Sequence, residues 1–189
     1  MRYDLVRHKH YFPHSFVEEF ENRLYGHWII GNDYKRKMGY HGEFPPHYLD
    51  RVYSLFPNYK HIIHLFSGSV GASMRPGEIS FDINASVGCD VAGDAERLSD
   101  YFEPKTFDMV IADPPYDVSN AKIYGYRLPR MWKVFQEMRK IVTDDAVVIW
   151  LCTRKPMYRK DEWVFKGTIG LDCGTNRVFR GIFIFQPHL

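Results

Sequence analysis

Asp113-Pro114-Pro115-Tyr116 follows directly on the apolar run Phe107-Asp108-Met109-Val110-Ile111-Ala112. A buried strand ending at Asp113, with prolines fixing the backbone beyond it, would present a carboxylate, a carbonyl and an aromatic ring to one cleft. Those groups suit the exocyclic amine of a flat heteroaromatic base. Such an amine is a poor nucleophile, because its lone pair is delocalised into the ring. Accepting its N–H hydrogens at Asp113 and at the Pro114 carbonyl favours a pyramidal nitrogen, whose lone pair can meet an electrophilic methyl group. Proline supplies that carbonyl without a competing N–H, and Tyr116 is placed to stack on the base. The plainer reading is a proline-ended strand in which Asp113 caps a neighbour.

The residues upstream favour chemistry. His61-Ile62-Ile63-His64-Leu65-Phe66 reads as a short strand, and Ser67-Gly68-Ser69-Val70-Gly71-Ala72-Ser73 as a small-residue turn that lets the backbone approach a ligand. A second strand over residues 78–84 puts Asp82 near its carboxyl end, where an acidic side chain can accept both hydroxyls of a ribose. A third over residues 89–95 leaves Asp94 available to an adenine amino group.

In that order these motifs resemble the core of the class I S-adenosylmethionine-dependent methyltransferases, specifically the DNA adenine-N6/cytosine-N4 amino-methyltransferases. The resemblance implies S-adenosylmethionine as cofactor. It places Phe66, Ser67 and Gly68 in the glycine-rich cofactor loop, Asp82 at the ribose, Asp94 and Ala95 at the adenine, and Asp113, Pro114, Pro115 and Tyr116 in the catalytic motif, with Asp113 also lining the cofactor site. Tyr40-His41-Gly42-Glu43-Phe44-Pro45-Pro46 is similar to the segment that flanks the cofactor's methionine end. Val70 stands where the family usually has its second glycine, and a β-branched residue does not easily take a positive φ, so the turn there is expected to differ. The expected activity is methyl transfer to the amino group of a base, N6 of adenine in DNA first. Similar motifs also serve methyltransferases of RNA bases, of cytosine N4 and of glutamine amides. A non-catalytic cofactor-binding subunit is the reading outside enzymes.

At 189 residues, 45% of them hydrophobic, the chain is expected to form one methyltransferase domain, with a helical, cofactor-flanking part over residues 1–60 and a catalytic core over 61–189. No segment is long enough for a separate target-recognition domain, and the 117–128 loop is the small substitute. Specificity is therefore expected to be loose or supplied by a partner protein. No signal peptide or membrane-length apolar stretch stands out, which points to a cytoplasmic protein with no membrane partner. The three cysteines read as free thiols, and the nine histidines complete no metal-ligand spacing, so no metal is expected. A formal net charge of +2 is weak for a DNA binder. Basic residues do gather at Lys35-Arg36-Lys37, at Arg127 and Arg130, and at Arg154-Lys155 with Arg159-Lys160. The latter groups follow expected strand ends, where phosphate contacts would be well placed.

Strands and helices alternate, which predicts an α/β fold: a doubly wound, mostly parallel sheet of the Rossmann-like class I methyltransferase kind. The Ser15-Phe16-Val17-Glu18 spacing predicts a helix start, Pro46 opens another helix, and Pro129 a third with Met131, Val134, Phe135, Met138 and Ile141 on its apolar stripe. A buried strand is expected over residues 146–151. Strands over 163–169 and 177–185, joined through Asp172-Cys173-Gly174, form a C-terminal antiparallel hairpin.

Overall fold

The structure, a computed structural model, describes residues 1–31, 44–70, 74–123, 125–174 and 178–189. The helices are α1 (Leu5–Tyr11), α2 (Tyr48–Leu55), α3 (Val118–Ile123) and α4 (Met131–Ile141). The strands are β1 (Phe16–Phe20), β2 (Arg23–Ile29), β3 (Ile62–Leu65), β4 (Ile79–Asp82), β5 (Val91–Ala92), β6 (Phe107–Ala112), β7 (Val142–Cys152), β8 (Trp163–Asp172) and β9 (Arg180–Pro187). Among the described residues these strands form one sheet in the order β1-β2-β8-β9-β7-β6-β3-β4-β5. The pairs from β7 through β6, β3 and β4 to β5 are parallel, whereas β9 runs antiparallel to both β7 and β8. The doubly wound sheet and the C-terminal antiparallel hairpin are as expected.

The central strands are apolar on both faces because both faces are covered. Met109, Ile111, Val147 and Ile149 pack beneath α2 with Val52 and Phe56. On the opposite face Val110, Ala112, Val148 and Trp150 pack beneath α4. There Phe135 meets Trp150, Trp163 and Phe185 at ring separations of 5.0, 5.6 and 5.1 Å. No helix among the described residues is long and apolar enough to cross a membrane.

Residues 1–60 are not simply helical. The helix expected at Ser15 is a strand, and the helix lies earlier, where Asp4 accepts the Arg7 N–H at 2.7 Å as its cap. Ser15 accepts a hydrogen bond from Arg51 instead of capping. Glu21 and Asn22 both take positive φ, 49° and 58°, which is the backbone a two-residue hairpin needs between β1 and β2. β2 then adds to the sheet edge parallel to β8 and buries Leu24 and Trp28. Elsewhere the shifts are small: α2 begins two residues after Pro46, β7 begins at Val142, and the last strand begins at Arg180. Lys35-Arg36-Lys37, residues 40–43, Gly71-Ala72-Ser73 and Arg177 lie outside the described residues.

Candidate active site

From β3 the chain winds outward through β4 to β5, then crosses back to place β6 on the other side of β3. In doubly wound sheets ligands bind at such a reversal, in a crevice outside the carboxyl ends of the strands. The Phe66–Gly68 turn leaves β3 at that point, and Asp113 leaves β6 there. The Asp113 N–H donates to the Leu65 carbonyl at 3.4 Å, which ties the two motifs together.

The turn after β3 gets its shape from Phe66 and Gly68, at φ 57° and 50°. Val70 is not among the positive-φ residues. Its side chain is buried in the core beneath α2, so the turn is made at Phe66 and Gly68, before the position of the family's second glycine. Asp82 braces this turn: one carboxylate oxygen accepts the Gly68 N–H and the other the Asn84 N–H, both at 2.9 Å. An ionised carboxylate has about four acceptor sites, so Asp82 keeps lone pairs for a vicinal diol.

Asp113 is half-buried at the end of β6, and its Oδ1 accepts the Tyr116 hydroxyl at 2.8 Å. Arg180, at the start of β9, donates to that same hydroxyl at 3.1 Å and to Cys173 Sγ at 2.9 Å. Burial disfavours the charged carboxylate and lifts the Asp113 pKa to about 6; Arg180 and the Tyr116 hydrogen bond restrain the rise. Burial and the neighbouring Asp113 carboxylate push Tyr116 far above the ordinary tyrosine range, so its proton stays on the hydroxyl. The Tyr116 hydroxyl is thus tied to the Asp113 carboxylate.

Asp94 and Ala95 lie after β5. Asp94 accepts the Glu96 N–H at 2.9 Å as the cap of the 3-10 segment Ala95–Asp100, and its other oxygen faces Arg127 at 3.4 Å. Glu96 beside it is 1% exposed and is held by Arg127 at 2.5 Å and by Arg130 through its main-chain N–H and its guanidinium, at 2.6–2.8 Å. Burial alone would raise Glu96, but these partners hold it down at about 2. Arg127 and Arg130, also candidates for phosphate contacts, tie the residues before α4 to the 3-10 segment that follows β5.

Phe66–Gly68, Asp82, Asp94, Ala95 and Asp113–Tyr116 therefore all lie at the carboxyl-end rim of the sheet. Among the described residues no group of His, Cys, Asp and Glu could hold a metal ion. Sequence reasoning missed Arg180 and Glu96. Arg180 had a signal: two and four residues on, Ile182 and Ile184 point to the core face, so a charged residue in that register needs a buried partner.

No protein-family model matches this chain, and no curated protein matches it. Solved structures do resemble it. TrmN from Thermus thermophilus is 13% identical over 68% of this chain and 44% of its own, with a TM-score of 0.52. The PH0226 protein from Pyrococcus horikoshii OT3 is 15% identical over 74% and 87%, with a TM-score of 0.50. A TehB-like SAM-dependent methyltransferase from Corynebacterium glutamicum is 9% identical over 68% and 80%, with a TM-score of 0.45. The chain spans less than half the length of TrmN. At these identities the likeness is one of fold, and the fold is that of the Rossmann-like class I methyltransferases.

Proposed function

We propose that the protein is an S-adenosylmethionine-dependent methyltransferase that modifies the exocyclic amino group of a base, N6 of adenine in DNA. The observation that carries this reading is Asp113: a half-buried carboxylate at the switch point of the sheet, oriented by Tyr116 and Arg180. A carboxylate kept there against a desolvation cost suits an acceptor for an incoming N–H, and a subunit that only scaffolds a catalyst has no use for it. The cofactor would lie along Phe66, Ser67, Gly68, Asp82, Asp94, Ala95 and Asp113, and it supplies an electrophilic methyl group. Asp82 suits the ribose hydroxyls, and Asp94 the adenine amine.

Asp113 and the Pro114 carbonyl accept the two N–H hydrogens of the target amine and withdraw its lone pair from the ring. Tyr116 fixes the carboxylate through its hydroxyl, and its ring would stack on the base. In duplex DNA the amine must leave the stack to reach Asp113, so the nucleotide is flipped out. The test is nucleoside mass spectrometry after the purified protein is incubated with labelled S-adenosylmethionine and, separately, duplex DNA, single-stranded DNA and RNA. N6-methyladenine in DNA is the expected product. N4-methylcytosine or labelled RNA would reassign the substrate, and no labelled nucleoside would sink the reading.

Asp82→Ala checks the cofactor half on its own. Removing this half-buried acceptor leaves the ribose hydroxyls unpaired and should weaken S-adenosylmethionine by about 1–3 kcal/mol in calorimetry; unchanged affinity would remove Asp82 from the site.

A further inference from the structure

Between Val118 and Gln136 the chain has no acidic residue, yet it carries Lys122, Arg127, Arg130 and Lys133, interleaved with Tyr124, Tyr126 and Trp132. This run starts just after the Asp113–Tyr116 motif, and the fold returns its far end to the same rim. α4 ends at Ile141 and β7 begins at the next residue, so the helix runs back along the sheet and its first turn lies toward the carboxyl ends of the strands. The packing agrees. Phe135, one turn beyond Trp132, meets Trp150 at a ring separation of 5.0 Å, and Trp150 pairs in register with Ala112, the residue before Asp113. Met131 and Tyr116 pack against that same core cluster.

Trp28, Trp150 and Trp163 are buried, whereas Trp132 is 50% exposed, with the Arg130 guanidinium 5.8 Å from its ring centre. Arg127 and Arg130 hold Glu96, yet more than half of each side chain stays open to solvent. Lys122 and Lys133 have no ion-pair partner among the described residues. An open indole among such cations is complementary to a nucleic-acid strand, whose bases offer flat π faces and whose phosphates meet the positive charge. An apolar protein partner would have no use for that charge. We infer that Trp132 stacks on a base flanking the target in the DNA strand, with Lys122 and Lys133 on the adjoining phosphates. This rests on the reading of the protein as a DNA base methyltransferase, and it assigns the surface that holds the strand outside the reacting base.

Trp132→Phe keeps a ring and Trp132→Ala removes it; the position is outside the core, so both variants should melt with wild type. Binding is measured by anisotropy on a single-stranded oligodeoxynucleotide and on an abasic chain of the same length, with tryptophan emission recorded alongside. Wild type should bind the chain with bases about tenfold more tightly, and that chain alone should quench its emission. Trp132→Ala should lose the tenfold and bind both chains alike. Trp132→Phe should keep most of the preference but lose the quench, because the three remaining tryptophans are buried. Lys133→Ala should weaken both chains to the same extent, as a phosphate contact does. An alanine variant that keeps the preference for bases, or a quench that survives in Trp132→Phe, would overturn the stacking; unaltered binding in Lys133→Ala would overturn the phosphate contact. An oligomer that dissociates in Trp132→Ala while DNA binding is unchanged would give the surface to a second copy of the chain. A wild type that shows the preference and the quench but methylates no nucleoside would remove the proposed activity and leave this surface standing, so the two fail separately.

Discussion

A carboxylic acid held near pH 6 by its surroundings changes charge within the range where cells work. For Asp113 the folded value, about 6, lies above the ordinary 3.8, so the protonated form is the one the fold favours. The stabilising contribution of that form is complete below pH 3.8 and fades as pH rises through 6, while the ionised acceptor needed for catalysis appears over the same rise. Stability and activity therefore move in opposite directions there. Methyl transfer, read as kcat/KM, should climb with a midpoint near pH 6. Asp113→Asn should flatten that step and lower the single-turnover rate by about a hundred- to a thousandfold, with cofactor binding nearly intact. A variant as fast as wild type would reduce the motif to a proline-ended strand.

Glu96 works at the level of the element, since one buried carboxylate joins the 3-10 segment after β5 to the loop after β6 through Arg127 and Arg130. Its folded value, about 2, lies below the ordinary 4.5, so the clamp is complete above pH 4.5 and is lost as pH falls toward 2. Glu96→Gln should destabilise the protein at neutral pH by about 1–3 kcal/mol in urea unfolding and speed proteolysis within residues 117–130. Unchanged cleavage there would mean that the loop is held by other contacts. The uneven legibility of the elements has a physical basis. β6 is found at the residues read from the sequence, because a strand covered on both faces writes a continuous apolar run with a proline stop. The β1–β2 hairpin was misread because Ser15-Phe16-Val17-Glu18 satisfies a local capping rule that the alternation of the following residues overrides. Asp113 and Tyr116 were legible as a contiguous motif, whereas Arg180 and Glu96 join the strand-end rim from distant segments, and only the packed sheet brings them there.

The whole sheet depends on its added edge. β2 contributes Leu24 and Trp28 to the core beneath α2, and it approaches β8 closely enough that a Cβ on Gly167, at φ 138°, would lie 1.9 Å from the Leu24 carbonyl oxygen. Trp28→Ala should cost about 3–5 kcal/mol of global stability, measured as a lower urea midpoint for the entire transition. Loss confined to the first thirty or so residues would make the hairpin an independent appendage. The pairing of β2 with β8 also sets a timetable for synthesis. Leu24 is synthesised more than a hundred residues before its partner Gly167. Until then the hairpin has an open edge and two unburied core residues, and Phe16 and Phe20 remain exposed even when folding is complete. Translation that pauses before β8 would thus leave a sticky half-sheet, so the speed of elongation between β2 and β8 bears on how much of the protein escapes aggregation.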